Sequence, residues 1–213
     1  MNLLDPRLVA YAEARTAAEP AHLRRLSAYT YENHDCPQML SGHLQGRLLS
    51  LLSRIVRPRR ALEIGTFTGY SAVCLAEGLA PSGKLNTIEI NPKLRPVIEN
   101  SLDAGRARKK VKVHFGKALE IIPTIRGAFD LVFIDADKTN YGKYFDAVID
   151  RVRSGGLVIA DNVLWSGRVL LPRKKQDRDT RALSAFARKL KRDPRVMPVL
   201  LPVRDGLLVA VKL

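Results

Sequence analysis

The chain has 213 residues, of which 46% are hydrophobic and 27% are charged. This length and composition fit one soluble globular domain with a single hydrophobic core, and they argue against a disordered chain. No apolar run approaches the roughly 18 to 20 residues that cross a bilayer, so we expect no membrane association. The formal net charge of +15 favours a polyanionic partner, RNA first and an anionic carrier on a small substrate second, although a basic solvated surface explains it equally well.

The N-terminus carries acidic residues where a secretion signal would need an uninterrupted apolar stretch, namely Asp5, Glu13 and Glu19. The two cysteines, Cys36 and Cys74, lie far apart and form no CxxC motif. Both observations favour a cytoplasmic protein with reduced thiols.

Residues 1–56 have a helical pattern, because apolar residues recur at spacings of three and four from Leu40 to Ile55. We predict a helical cap over 1–56 and a Rossmann-like core over 57–213, together forming one domain. Within the core, short apolar runs alternate with helical stretches, which is typical of a doubly wound α/β sheet with helices on both faces. The predicted strands are 61–64, 84–90, 111–115, 129–134 and 156–160.

Two further strands, 196–201 and 207–211, are joined by the turn Arg204-Asp205-Gly206. A connection this short leaves no room for a helix, so we predict that these strands pair antiparallel. The segment before them, residues 168–195, is rich in Lys and Arg and contains a predicted helix over 180–191.

The first predicted strand runs into a glycine-containing turn, Gly65-Thr66-Phe67-Thr68-Gly69, that opens a helix. Gly65 and Gly69 would let the backbone approach a ligand where a Cβ would collide. An adenosine cofactor with a charged amino-acid end could lie here, where the sheet order reverses. The GxxxG spacing differs from the GxGxxG of dinucleotide-binding proteins, and a purely structural tight turn is the alternative interpretation.

An acidic residue, Glu89, ends the second strand and can accept hydrogen bonds from both ribose hydroxyls of such a cofactor. An exposed glutamate at a strand end is the alternative. After the third strand, the backbone near Ala118 is predicted to contact the adenine edge.

Two neighbouring strands each deliver oxygen-bearing side chains to the sheet edge, the first Asp135 and Asp137 with Lys138, the next Asp161 and Asn162. The ends of adjacent parallel strands lie together, so Asp135, Asp161 and Asn162 should converge. Oxygen ligands suit Mg²⁺, and no nearby His or Cys favours zinc. A helix N-cap is the alternative role of each single aspartate.

Four segments in order, LEIGTFTGYS, TIEIN, FIDADKTNY and IADNVLWSG, resemble the catechol and caffeoyl-CoA O-methyltransferase family, whose members are class I methyltransferases that use S-adenosylmethionine (SAM) and require a divalent metal. The resemblance spans roughly residues 39–213. It implies a seven-stranded sheet with an antiparallel last strand, a homodimer, SAM as the methyl donor, and Mg²⁺, Mn²⁺ or Ca²⁺ as the metal. Two departures are Ser41-Gly42 in place of Ser-Pro before the segment Gln-x-x-x-Leu, and Lys117 in place of an acidic residue.

Carried over by position, Asp135, Asp161 and Asn162 match the metal ligands, Lys138 the general base and Glu89 the ribose-binding acid. With Glu89, the residues that we predict to bind the cofactor are Glu63, Gly65, Thr66, Gly69, Tyr70, Ser71, Ala118, Asp135 and Asp137.

The resemblance implies a metal-chelated hydroxyl as methyl acceptor. A catechol-like small molecule, or its coenzyme A ester, is the first hypothesis, with Trp165 and Tyr141 either flanking an aromatic ring or packing in the core. A 5-hydroxyuridine in tRNA is the second, which the net charge favours. A binding protein without catalysis and a nucleotide-dependent oxidoreductase form the third, which the intact ligand set and the GxxxG spacing argue against.

Overall fold

The computed structural model describes residues 5–213 and contains a seven-stranded sheet. Its strands are β1 Arg60–Ile64, β2 Lys84–Glu89, β3 Val111–Phe115, β4 Phe129–Ile134, β5 Val152–Ala160, β6 Val196–Leu201 and β7 Leu207–Lys212. They lie in the order β3-β2-β1-β4-β5-β7-β6, with β7 antiparallel to both its neighbours and the strands from β1 to β5 parallel. The prediction of a doubly wound sheet with an antiparallel last strand is confirmed.

Three helices precede the sheet, α1 Pro6–Arg15, α2 Ala21–Asn33 and α3 Gly42–Val56. Five follow β1, namely α4 Tyr70–Ala76, α5 Arg95–Ala104, α6 Ala118–Ile121, α7 Tyr141–Val148 and α8 Arg178–Arg192. The first four residues of the predicted cap lie outside the described residues. Among residues 5–213, no helix is both long enough and apolar enough to cross a membrane.

The hydrophobic core lies on both faces of the sheet. Leu131 and Phe133 of β4 belong to the core that α2 to α5 cover, whereas Val132 and Ile134 belong to the core beneath α6 to α8. Alternate residues of a strand point to opposite faces, so a central strand covered on both sides must be apolar throughout. This explains why the runs that predicted the strands are continuous rather than alternating.

Element ends differ from the predictions by a few residues. β2 ends one residue early, at Glu89, and α8 begins at Arg178 because the Asp177 side chain accepts a hydrogen bond from Thr180 N (2.7 Å) as an N-cap. β5 begins four residues early, at Val152, and its first part is irregular opposite β4, with Gly155 at φ +73°. Glycines disfavour regular strands, which explains the later predicted start.

The helix α3 was expected from apolar residues at helical spacing, yet it packs through a different face. Its buried residues are Gln45, Gly46, Leu49, Ser50 and Ser53, whereas Leu51 and Ile55 are 53% and 69% exposed. A Cβ on Gly46 would lie 2.6 Å from the Tyr70 ring. Small side chains therefore allow α3 to approach α4 closely, and the approach leaves Leu51 and Ile55 exposed while Leu48 and Leu52 pack against the core only in part.

Candidate active site

A cavity of about 1370 Å³ lies at the carboxyl ends of the parallel strands, next to the point between β1 and β4 where the strand order reverses. The cap closes it with the residues between α2 and α3, and the turn before β7 contributes Arg204 and Asp205. This volume is larger than that of common single-ligand pockets, so it can hold a cofactor together with a second molecule. Eight of the predicted cofactor residues line it: Gly65, Thr66, Tyr70, Ser71, Glu89, Ala118, Asp135 and Asp137.

The two glycines of the turn are required by protein packing. A Cβ on Gly65 (φ +97°) would lie 1.8 Å from the backbone oxygen of Asp135, and a Cβ on Gly69 (φ +92°) would lie 2.4 Å from Ser101 Oγ. Gly65 lines the cavity whereas Gly69 does not. The tight turn thus lets the ends of β1 and β4 approach each other. This brings Asp135 beside residues 65–69, the turn that we predict to bind the cofactor.

The carboxylate of Glu89 is held by three backbone amides. Oε2 accepts hydrogen bonds from Thr66 N (3.2 Å) and Phe67 N (2.8 Å), and Oε1 accepts one from Asn91 N (2.8 Å). Glu89 lines the cavity although the residue is only 6% exposed. A carboxyl group oriented in this way at the end of β2 is well suited to accept hydrogen bonds from ribose hydroxyls.

Glu63 is fully buried beneath the turn of residues 65–69 and does not line the cavity. Its Oε2 accepts a hydrogen bond from Thr87 Oγ1 (2.5 Å), while Oε1 has no partner among the described residues. Burial raises the pKa of this carboxyl to about 8. Glu63 therefore joins the ends of β1 and β2 through Thr87 and does not contact the cavity.

Three of the predicted catalytic and metal-binding side chains meet at the edge of the sheet. Lys138 Nζ donates to Asp135 Oδ1 (2.9 Å) and Asn162 Oδ1 (2.8 Å), and also to the hydroxyl of Tyr141 (2.7 Å). Burial by itself lowers the pKa of Lys138, but the charge of Asp135 and the contact with Tyr141 outweigh it, so that the pKa is raised. The raised pKa favours the ammonium form of Lys138.

Asp161, the third predicted metal ligand, lies behind these residues, and both of its oxygens are occupied. Oδ1 accepts from Asn162 N (2.6 Å), and Oδ2 accepts from Gln45 Nε2 (2.5 Å) of α3. Burial, followed by the charge of Asp135, raises the pKa of Asp161 to about 7. Sequence reasoning did not assign Gln45 to the site, although the resemblance included the segment Gln-x-x-x-Leu to which it belongs.

These residues fit a divalent metal. The set offers two carboxylates and an amide oxygen, which hard cations prefer. The Lys138 ammonium between Asp135 and Asn162 demonstrates that the cluster attracts positive charge.

The two aromatic residues considered for substrate contact, Tyr141 and Trp165, lie in different places. Tyr141 is fully buried with its ring against Phe186 (5.6 Å between centroids), so it packs in the core and does not flank a substrate. Trp165 lines the cavity, with Lys138 Nζ 5.8 Å from its ring centroid.

The exposed Asp137 also lines the cavity, and its carboxylate accepts hydrogen bonds from Tyr144 and Asn140.

Comparison with known proteins identifies the family of the chain. Residues 13–213 match the family model described as O-methyltransferase. The chain is 37% identical to a catechol O-methyltransferase of Mycobacterium tuberculosis over 167 residues, which cover 78% of this chain and 69% of that protein. It is 33% identical to the mouse catechol O-methyltransferase domain-containing protein 1 over an alignment of 218 positions, which covers 98% of this chain and 81% of that protein.

A solved structure shares the fold over nearly the whole chain. The O-methyltransferase TomG from Streptomyces achromogenes, solved in complex with SAM, superposes with a TM-score of 0.88 at 31% identity, covering 97% of this chain and 96% of that one. With the family match over residues 13–213, this likeness establishes that the chain belongs to the O-methyltransferase family and is a SAM-dependent O-methyltransferase.

Proposed function

We propose that the protein transfers the methyl group of SAM to one hydroxyl of a catechol-like small molecule, free or as a coenzyme A ester, and that the reaction requires a divalent metal, Mg²⁺ before Mn²⁺ or Ca²⁺. The observation that carries the proposal is the convergence of Asp135, Asn162 and Lys138 on one wall of the cavity, with Asp161 directly behind them. Relatives named catechol O-methyltransferase support the class of acceptor.

Asp135, Asp161 and Asn162 would hold the metal, which when bound supplies positive charge that lowers the pKa of an acceptor hydroxyl. Bound SAM supplies the methyl group as a sulfonium. Glu89 orients the cofactor through its ribose, while Trp165 provides an apolar surface for an aromatic acceptor. The protein contributes chiefly by holding both reactants in line, because methyl transfer requires the oxygen opposite the sulfur at near contact distance.

Lys138 Nζ is the general base that takes the proton of the acceptor hydroxyl, because it is the basic atom that lies among the proposed ligand oxygens. Nζ donates three hydrogen bonds, and its raised pKa favours the ammonium. A second positive charge bound to Asp135 and Asn162 would repel this ammonium and favour the neutral amine that can accept a proton.

The test incubates the protein with methyl-labelled SAM and Mg²⁺, with and without EDTA, and offers caffeic acid and unmethylated tRNA in parallel. The proposal expects label in caffeic acid alone, lost with EDTA. Label that persists in EDTA refutes the metal requirement. The variant Asp161→Ala should lose turnover while its affinity for SAM stays within about twofold, because Asp161 does not line the cavity; loss of both would assign Asp161 to the fold.

A second candidate acceptor is a hydroxylated uridine in tRNA, which the charge of α8 favours. Of the eleven Lys and Arg between 168 and 195, three form ion pairs with aspartates. The other eight are exposed and form none with acidic residues of the described chain. Four arginines, Arg178, Arg181, Arg188 and Arg192, form one stripe of about 21 Å along α8, whose first turn is at the cavity mouth through Asp179.

Binding of tRNA through this stripe would depend steeply on salt, by about 0.7 to 0.9 in log–log slope for each phosphate neutralised. Replacing Arg181, Arg188 and Arg192 by glutamine should lower that slope by about two to three. The matched control removes the same charge at Arg106, Lys109 and Lys112, which lie beside the amino end of β3 and away from the cavity. Equal slopes for both variants and the wild type, or no binding, would reject this candidate.

The chain is also proposed to form a homodimer, and the outer face of α3 supports this. Leu44, Leu48, Leu51, Leu52 and Ile55 remain partly or well exposed there. A stripe of five apolar residues on a helix is typical of a surface that another subunit covers. Light scattering should give the mass of a dimer for the wild type and of a monomer for Leu51→Lys; a monomeric wild type would refute the proposal.

A further inference from the structure

Gln45 is a buried polar residue that connects the cap to the catalytic edge of the sheet. The residue is 1% exposed, and its Nε2 donates a 2.5 Å hydrogen bond to Asp161 Oδ2, across 116 positions of sequence. Burial of an amide and a carboxylate together costs free energy unless their polar atoms are paired. The hydrogen bond therefore pairs two buried polar groups, and its direct effect is on the Asp161 carboxylate.

We infer that Gln45 is a positioning residue for the divalent metal, an inference that rests on the proposed function. Gln45 holds Oδ2 of Asp161 and the backbone amide of Asn162 holds Oδ1 (2.6 Å), so the carboxylate cannot rotate about its last bond without breaking one of these contacts. Each carboxylate oxygen retains a further lone pair for a cation. Donors to a ligating carboxylate orient it and tune metal affinity.

Attachment of α3 to the core does not depend on Gln45. Ser53 Oγ donates to Leu75 O (2.6 Å), and the Arg47 guanidinium pairs with Glu77 (2.8 Å), so α3 is held against α4 at two points away from Asp161. Removing the Gln45 amide should therefore disturb the aspartate more than the helix. This separates a role in positioning from a role in folding.

The first experiment compares Gln45→Met with the wild type by titration calorimetry of Mg²⁺ and, separately, of SAM. Methionine preserves the length and volume of the side chain but cannot donate the hydrogen bond. The dissociation constant of Mg²⁺ should rise by about 10- to 100-fold, while that of SAM stays within about twofold. Ser53→Ala is the matched control, because it removes one buried side-chain hydrogen bond of the same helix, and it should leave both constants unchanged.

Unchanged Mg²⁺ affinity in Gln45→Met overturns the inference and leaves the proposed function standing. A wild type that binds no Mg²⁺ overturns both. An equal loss of Mg²⁺ affinity in Ser53→Ala and Gln45→Met would assign the effect to α3 as a whole and also overturn the inference.

The wild-type protein provides a second test that does not depend on a variant folding. The chain contains three glutamines, Gln38, Gln45 and Gln176, so ¹⁵N labelling of the glutamine side chains gives three pairs of side-chain amide signals, one pair for each residue. The Gln45 signal should exchange slowly with solvent and shift during a Mg²⁺ titration with the dissociation constant measured by calorimetry. Gln176, which lies outside the cavity lining, serves as the reference that does not shift. A Gln45 signal unaffected by saturating Mg²⁺ would contradict the inference.

Discussion

Replacement of Gly65 by alanine tests whether the glycine of the first turn serves packing or ligand approach. Gly65 adopts φ +97°, which side chains rarely permit, and a Cβ would lie 1.8 Å from the backbone oxygen of Asp135. The obstacle is backbone at the end of β4, which cannot rotate away as a flexible side chain could. The substitution should therefore separate the ends of β1 and β4.

The cost can be worked from these two effects. An alanine forced to positive φ costs about 1–2 kcal/mol, and overpacking against neighbouring atoms costs about 1–3 kcal/mol. The sum of about 2–5 kcal/mol is a large part of the roughly 5–15 kcal/mol that stabilises an ordinary domain. For a chain of this size it corresponds to a fall in the melting temperature of about 4–20 °C.

Thermal unfolding followed by circular dichroism measures this fall, and Gly142→Ala is the control. Gly142 lies within α7, and a Cβ there would meet no atom within 4 Å, so alanine should stabilise by up to about 1 kcal/mol. Gly65→Ala should also lose affinity for SAM. If Gly65→Ala melts with the wild type and loses SAM binding alone, the packing argument is refuted and the glycine serves ligand approach.

Three further predictions concern titratable residues in and beneath the site. Lys138→Met should lower the rate of methyl transfer by about 10²- to 10⁴-fold, the usual contribution of a general base, with unchanged affinity for SAM by calorimetry; a smaller loss would remove Lys138 from proton transfer. Glu89→Gln should weaken SAM binding by about 10- to 100-fold, because the amide has a single accepting oxygen where the carboxylate has two that accept hydrogen bonds. An affinity for SAM equal to that of the wild type would exclude the ribose contact. Burial raises the pKa of Glu63 to about 8, so the folded protein binds more protons than the unfolded chain between about pH 4.5 and 8, and the free energy of unfolding should fall as pH rises through this range. Urea titrations at pH 6 and 8.5 should show that Glu63→Gln lacks this part of the decline, and the same decline in both proteins would contradict the buried, uncharged state.

The α/β class and the positions of the motifs could be predicted from sequence because they depend on short-range patterns. Apolar runs of strand length separated by helical stretches admit few arrangements other than a parallel sheet. Since the carboxyl ends of parallel strands meet at one edge, Glu89, Asp135 and Asn162 could be placed near one another without coordinates. The cavity at that edge agrees with the prediction.

Sequence alone could not decide which face of α3 is buried. Periodicity marks the leucine-rich face as apolar, but the close approach of Gly46 to Tyr70 favours the face of small and polar residues. Packing of small side chains depends on the shape of the partner helix, which the periodicity of a single helix does not contain. For the same reason the sequence predicts that Gly65 serves ligand approach, whereas its close approach to the Asp135 backbone is visible only in the fold.

What the sequence by itself determined is the sheet, the order of its motifs and the chemical type of the residues at its edge, because these follow from local composition and from the geometry common to all parallel strands. Only the tertiary structure decided that Gln45 contacts Asp161, that Tyr141 belongs to the core, and that Lys138 Nζ lies between Asp135 and Asn162. Such contacts join segments distant in sequence, and the charge of a buried group depends on all the neighbours that folding brings to it.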